Sequence, residues 1–306
     1  MRNTKRGTGS DNLRISMFAS ISMCFVLICV MHFLWPAERA TAAEDVFAPV
    51  KQHLMQEGFS RARVVMMYQP QPAPLFKTVA QTLHIREGRL DYDQFVNPPA
   101  LARAREFLSR HGSVFARAEQ TYGVDRYVIA SLLLVETQFG QYTGRTPTLA
   151  ILSTFALMDQ EKYRSKIWTM LSPQDRQRWE RQAFEKKLMD RSAWAYQELR
   201  ALLQLADSRT VRVESCRGSV MGAIGLPQFL PSSLVRFGVD ENQDGRIDLF
   251  LPGDAIMSVG NYLKGYGWCQ AKTREEQEEV IWGYNHSRPY VRTVLEIASR
   301  LRQQAG

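Results

Sequence analysis

The chain has 306 residues, 45% of them hydrophobic, and a formal net charge of +8. That length is enough for one large domain or two small ones. The basic residues form no single block, which argues against a nucleic-acid partner, while the diffuse positive charge fits either an anionic polymer or ordinary solvated helices.

The first predicted element is a leader. Arg2, Lys5, Arg6 and Arg14 precede an uncharged run from Ile15 to Trp35, followed by "AERATAAED". A positive segment, an apolar run and a small-residue site at Ala40-x-Ala42 or Thr41-x-Ala43 read as an export signal over residues 1–43. The run is long for such a signal. As a helix it reaches about 30 Å, enough to stay in a bilayer as an N-terminal membrane anchor. Either way the positive charges keep the N-terminus inside. The expected location is therefore periplasmic or envelope-associated, with inner-membrane anchoring as the second form. A lipoprotein is disfavoured because Ile28 before Cys29 is too bulky for a lipid-attachment box. Outside the apolar run only Cys216 and Cys269 remain. In an oxidising compartment they form either one disulfide, the expectation here, or two separate buried thiols.

Beyond the leader, helical patterns dominate. "EDVFAPVKQHLMQEG" spaces Val46, Val50 and Leu54 helically and stops at Gly58. "RARVVMMY" is the one strand-like run. "YQPQPAP" is a Pro-rich break. "NPPALARAREFLSRHGSVFARAEQTYGVD" starts a helix at Pro98-Pro99 and carries it to Gly123. "VDRYVIASLLLVETQFG" reads as a buried helix ending near Gly140. "SPQDRQRWERQAFEKKLMDRSAWAYQELRALLQLAD" holds at least one long helix with a cap at Ser172. Residues 218–252 are Gly- and Pro-punctuated and loop-rich. "DAIMSVGNYLKGYGW" and "YVRTVLEIASRLRQQ" complete a mainly α chain without internal repeats.

Four stretches carry residues suited to chemistry. Ile129, Leu132, Leu133 and Glu136 share one helix face. A carboxyl there is either partly desolvated, which raises its pKa and suits it to general acid work, or a last-turn Glu reaching water. The helix C-terminus also disfavours its ionised form. In "SVMGAIGLPQFLPSS", Gly222, Gly225 and Pro227 shape a close backbone. There Gln228 offers both donor and acceptor and Phe229 a flat apolar surface. Such a loop suits a glycan, or is an ordinary connection with a core Phe. "WGYNHSRPYV" presents a polar-aromatic edge of Tyr284, Asn285 and Tyr290, and its His286 has no metal-ligand partner at useful spacing. Finally, "GVDENQDGRIDLF" opens like a calcium loop, with Asp240, Asn242 and Asp244 at alternate positions before Gly245. Its twelfth position, where a bidentate Glu belongs, is Leu251. The loop either binds nothing or is closed by a ligand from elsewhere. No Ser/His/Asp set, phosphate loop or zinc spacing is present.

"VETQFG", "GAIGLPQFLPSS" and "YNHSRPYV", taken together with the calcium-type loop, resemble the membrane-bound lytic transglycosylase B family of peptidoglycan-cleaving enzymes. The resemblance covers roughly residues 45 to 300. It implies a lysozyme-like catalytic domain with an additional α-helical domain and a loop-rich calcium-binding segment. Residues 44–110 would be an N-terminal helical extension and 111–306 the catalytic region with inserted helices. It implies cleavage of the MurNAc–GlcNAc β-1,4 bond, with Glu136 as the single acid/base. Ser219, Gln228, Tyr262, Tyr284 and Asn285 would line the glycan cleft. One structural calcium would be held by Asp240, Asn242, Asp244, the carbonyl of Arg246 and a displaced Asp254, with no catalytic cofactor. The expected partner is the peptidoglycan strand, and the protein is expected to act as a monomer. One departure concerns a pair of arginines that similar proteins carry near the cleft. The corresponding stretch here is "DQEKYR", with Lys162 and Arg164, which leaves the peptide or glycan preference open. A lysozyme-like hydrolase and a catalytically silent peptidoglycan-binding scaffold are the competing functions.

Overall fold

Helices account for nearly every regular element, and six of the fourteen described helices start where a side chain takes up an orphan backbone N–H. The computed structural model describes residues 45–84, 92–208 and 211–304; the expected leader, 1–43, lies outside the described residues. In chain order the helices are α1 (Ala48–Gln56), α2 (Arg61–Met67), α3 (Phe76–Thr82), α4 (Pro98–Arg110), α5 (Gly112–Tyr122) and α6 (Arg126–Thr137). A two-residue strand β1 (Thr146–Pro147) precedes α7 (Thr148–Ala156), α8 (Glu161–Met170), α9 (Pro173–Gln177) and the long α10 (Arg181–Ser208). Strand β2 (Arg217–Gly218) pairs antiparallel with β1, with Thr146 opposite Gly218. The chain closes with α11 (Pro231–Phe237), α12 (Pro252–Gly265), α13 (Arg274–Trp282) and α14 (Arg288–Gln303).

The mainly α expectation is borne out, three local expectations are corrected and one helix is added. "RARVVMM" is helix α2, because the Ser60 hydroxyl caps it by accepting from the Arg63 N–H at 3.4 Å. The helix expected from Pro98 to Gly123 breaks at His111 into α4 and α5. Helix α13 was hidden by its charge, although Thr273 and Glu276 form a reciprocal capping box that "TREE" spells out. The expected disulfide is absent. The Cys269 thiol donates to the Tyr122 carbonyl at 2.9 Å and the Cys216 thiol to the Arg212 carbonyl at 3.3 Å, so each sulfur is committed elsewhere.

Two hydrophobic cores result. One gathers Phe47, Leu54, Val64 and Val79 from α1–α3 with Ile151, Phe155, Ile167, Phe184 and Leu199 from α7–α10. The other gathers Phe107, Phe115, Ile129, Leu133, Ile256, Leu263, Tyr290 and Val294 from α4–α6, α12 and α14. The segment expected as an extension, 44–110, thus contributes to both. Helix α10 joins them: Leu202 and Leu203 lie in the first core and Leu205 in the second. At 28 residues it is about 42 Å long. No described helix is long and apolar enough to cross a membrane.

A polar latch sits where α10 meets α11. The Glu198 carboxylate, 3% exposed, accepts from the Ser232 N–H at 2.9 Å and its hydroxyl at 2.8 Å. Burial raises the Glu198 pKa above its ordinary value, outweighing the Ser232 bonds that lower it. The folded chain therefore holds this proton more tightly than the unfolded chain. The group costs stability as pH rises through and above the ordinary carboxylate range. Glu198→Gln keeps the latch and removes that cost. Its stability relative to wild type should climb between pH 4 and pH 7 in denaturant titrations; a flat or falling difference would contradict this account.

Candidate active site

Helix α6 is buried almost around its full circumference: Ile129, Ala130, Leu132, Leu133 and Leu134 are 0% exposed. The expectation of a buried helix is borne out. Glu136, in the last turn, is half-buried. The helix ends three residues before the expected Gly140, because Gln138 (φ 49°) and Phe139 (φ 60°) both adopt left-handed conformations. Such geometry in non-glycine residues is costly and persists only where the surroundings enforce it. Here Phe139 stacks on Phe107 at 4.2 Å, and the Gln138 amide oxygen accepts from Arg103 at 3.1 Å. The Thr137 hydroxyl completes the turn, donating to the Leu226 carbonyl at 2.9 Å and accepting from the Gly140 N–H at 3.0 Å. That bond ties the end of α6 to the loop carrying Gln228.

The buried partner of Glu136 is Tyr290, whose phenol donates to Oε1 at 2.5 Å. Tyr290 is 2% exposed and comes from the first turn of α14, the helix packed along α6. The sequence placed Tyr290 on the aromatic edge but gave it no role. Its spacing from Tyr284 was visible, yet its contact with Glu136 depends on how α14 crosses α6. Burial, reinforced by the Glu136 charge, pushes the phenols of Tyr284 and Tyr290 well above their ordinary pKa. Both therefore remain O–H donors at any physiological pH.

The other expected cleft residues divide into those that converge on Glu136 and those that hold the walls. The Tyr284 phenol donates to the Pro227 carbonyl, locking the "YNHS" turn onto the Gln228 loop. Tyr262 donates to the Gly283 carbonyl at 2.8 Å and packs 4.8 Å from Tyr284, and both pack against Phe229. At 5% exposure Tyr262 is a wall more than a surface. Gln228 (φ 51°) uses its amide N–H groups on the carbonyls of Thr143, at 3.2 Å, and Gly225, at 2.9 Å. Its expected two-way recognition thus reduces to the amide oxygen. The Ser219 hydroxyl oxygen accepts from the N–H groups of Met221 and Ala223, both at 3.1 Å, which leaves its proton to donate. The Asn285 amide oxygen is buried without a hydrogen-bond partner. Of the two cations in "DQEKYR", Arg164 is spent on Glu185 and on the carbonyls of Met158 and Asp159, and Lys162 lies over the Tyr163 ring.

In the acidic loop, the side chains are turned to their own backbone. Asp240 accepts from Asp244 and Gly245, Asn242 from Asp244, and Asp244 from Arg246. The 2% exposed Asp254 accepts from the N–H groups of Glu241 at 2.9 Å and Asp248 at 2.7 Å, so it closes the loop from α12. Burial, together with the charges of Asp240, Asp244 and Asp248, pushes its pKa up to about 6 against the bond from Asp248. Asp248, the ninth position of the loop, went unassigned in the sequence, although its spacing was legible. Among the described residues, no three His, Cys, Asp or Glu side chains converge as a metal cluster.

Comparison with known proteins identifies what this arrangement is similar to. The transglycosylase SLT domain family matches residues 42–278. The membrane-bound lytic murein transglycosylase B of Escherichia coli K12 is 30% identical over 177 residues, which are 58% of this chain and 41% of that protein. The match thus spans less than half the length of that relative. Among solved structures, the soluble lytic transglycosylase SltB1 of Pseudomonas aeruginosa aligns with a TM-score of 0.66 at 24% identity, covering 85% of this chain and 99% of that one. The Escherichia coli lytic transglycosylase Slt35 in complex with calcium aligns at 0.63 and 20% identity, covering 85% and 93%. Pseudomonas aeruginosa SltB3 in complex with NAG-anhNAM-pentapeptide aligns at 0.65 and 17% identity, covering 84% and 79%.

The wall carrying Ser219 depends on one close approach. A Cβ on Gly218 would lie 1.8 Å from the Ala223 carbonyl oxygen. That carbonyl accepts the Ser219 N–H at 2.9 Å. Gly218→Ala must therefore break the turn, at a cost of about 2–4 kcal/mol by analogy with other strained backbone sites. Chemical denaturation measures this; a loss below about 0.5 kcal/mol would show that the turn yields freely.

Proposed function

The chain belongs to the transglycosylase SLT domain family, and from that premise we propose that it is an envelope-located lytic murein transglycosylase. Its substrate on this reading is the MurNAc–GlcNAc β-1,4 bond of peptidoglycan. The observation that carries the proposal is the half-buried carboxyl of Glu136, held by the Tyr290 phenol at the end of a buried helix. Ordinary glycosidases need two carboxylates. A transglycosylase can work with one. Protonated Glu136 gives its proton to the leaving glycosidic oxygen as the C1–O bond breaks. The substrate's own N-acetyl carbonyl stabilises the anomeric cation, as in substrate-assisted glycosidases. Ionised Glu136 then takes the proton of the muramyl C6 hydroxyl, whose oxygen bonds to C1. The product is a 1,6-anhydro ring, no water is consumed and the acid is restored. Tyr290 orients the carboxyl through both half-steps. The Ser219 proton and the Gln228 amide oxygen supply a donor and an acceptor for the amides and hydroxyls of a glycan, with Asn285 beside them.

Calcium enters the proposal as a structural ion. The donor set is all oxygen, as a hard cation requires, and Gly245 has φ 84° at the sharp turn of the loop. The crowding of Asp240, Asp244 and Asp248 against Asp254 is repulsion that a dication would relieve. Asp240, Asn242, Asp244, the Arg246 carbonyl and Asp254 would hold it beside the cleft, away from the reacting atoms. The name of the Escherichia coli relative, membrane-bound, supports an envelope location for this chain. The proposed chemistry is complete in one monomer.

Two measurements test these assignments. Glu136→Gln removes both half-steps, so release of anhydromuropeptides from sacculi should fall about ten-thousand-fold, the upper end of general acid–base contributions. Retention of sacculi by the variant should survive. Near-wild-type release would remove Glu136 from the mechanism, and products carrying an added water would make the enzyme a hydrolase. For the ion, calcium at a hundred times Kd should stabilise the wild type by about 2.7 kcal/mol, seen as a higher Tm than in chelator. Asp254→Ala should lose that response. A variant that keeps it would exclude Asp254 as a ligand.

A further inference from the structure

Helix α6 ends in a left-handed capping turn. The Phe139 N–H donates to the Leu133 carbonyl at 3.1 Å and the Gln138 N–H to the Leu134 carbonyl at 2.9 Å. Turns of this kind place a left-handed residue just after the helix, and glycine usually fills that position. Here it is Gln138, at φ 49°, two positions after Glu136, and Phe139 follows at φ 60°. A side chain in that region of backbone space is disfavoured unless its surroundings hold it there. The backbone that sets the direction of Glu136 is therefore strained, and its course depends on what restrains it from outside.

The restraint comes from one stripe of α4. Arg103 and Phe107 lie one turn apart on that helix, and each meets one of the two left-handed residues. Arg103 Nη2 donates to Gln138 Oε1 at 3.1 Å, and the Phe107 ring stacks on Phe139 at 4.2 Å and 17°. Among the described residues, the half-buried Arg103 guanidinium makes that one hydrogen bond and pairs with no carboxylate, and its Nε is buried without a partner. A single bond to a neutral amide adds little to overall stability. A cavity of about 380 Å³, lined by Arg103, His111, Gln138, Phe139 and Gln141 among others, adjoins the turn. Space of that size leaves the Gln138 side chain free to swing away once the Arg103 bond is lost.

We propose that Arg103 is a positioning residue. Through Gln138 it keeps the left-handed end of α6 in place, and with it the bearing of the Glu136 carboxyl on the substrate. The inference rests on the lytic reading of the site and deepens it by assigning a second restraint on Glu136. Tyr290 holds the carboxyl from the side-chain end, at Oε1, and Arg103 holds it from the backbone end. On that reading one carboxyl serves two oxygens in succession, so a small displacement slows both half-steps.

The test is a double-variant cycle with soluble peptidoglycan strands as substrate. Arg103→Met keeps the length of the stem and removes the donor. It should lower kcat about tenfold with KM unchanged, within the roughly hundredfold that a misplacement of about 1 Å costs at a reacting centre. Gln138→Gly installs a residue that takes a left-handed φ without help. On that background, whatever its own rate, Arg103→Met should cost less than about twofold, because the strain it acts through is gone. Arg103→Lys keeps a donor on a long stem and should recover part of the loss. If Arg103→Met does not fold, the shorter Arg103→Gln takes its place in the cycle. Equal losses on the two backgrounds overturn the proposal. So does a change confined to KM, a lowered Tm with kcat intact, or no recovery in Arg103→Lys. If the wild type releases no fragment from any strand, the lytic reading fails, and the carboxyl carbon resonance of Glu136 judges the positioning alone. A resonance moved by Arg103→Met, and not moved by it on the Gln138→Gly background, supports the proposal; one unmoved by Arg103→Met overturns it.

Discussion

A helix that is apolar around its whole circumference has to be enclosed on every side, and α6 is that helix. Enclosing it takes α4 and α5 before it in the chain and α12 and α14 long after it. This one requirement therefore dictates much of the long-range packing. Burial of each large side chain stabilises by roughly 1.5–3 kcal/mol, so the row from Ile129 to Leu134 outweighs the cost of one carboxyl at its end. Glu136 sits where the enclosure stops. One turn earlier it would be a buried charge without compensation; one turn later it would be an ordinary surface acid.

The same enclosure explains why the working groups come from irregular backbone. The left-handed residues Gln138 and Phe139 turn the chain sharply away from α6. Gln228 at φ 51° does the same in the facing loop, and both turns are held by side chains bonding backbone. Backbone in such conformations is placed by its neighbours, which makes the site stiff without making it helical. A stiff site suits the proposed reaction, in which one carboxyl would meet two different oxygens in succession.

The sequence made legible what depends on neighbours a few residues away. The helical class, the cap at Ser172, the last-turn position of Glu136 and the spacing of the acidic loop all follow from local pattern. What escaped depends on distant chain. Tyr290 acquires its partner only because α14 lies along α6, 154 residues later. The thiols of Cys216 and Cys269 were a plausible pair by count, but each was already bonded to a carbonyl that no spacing rule names. Arg164 looked like a cleft cation, yet its guanidinium serves as a cap for the Met158–Asp159 turn. Local failures had local causes: α2, at seven residues, spans only about two turns, and α13 is too acidic to show an apolar stripe.

Helix α10 has a consequence for how the protein comes apart. Because neighbouring turns of one continuous helix belong to the two hydrophobic cores, neither core can melt without exposing apolar surface that the other relies on. The two cores meet near the C-terminal end of α10, at Leu202, Leu203 and Leu205. A chain with two cores then behaves as a single cooperative unit under heat or denaturant, with one transition and no half-folded plateau. An intermediate with one core exposed would then be disfavoured, and with it a species from which aggregation starts.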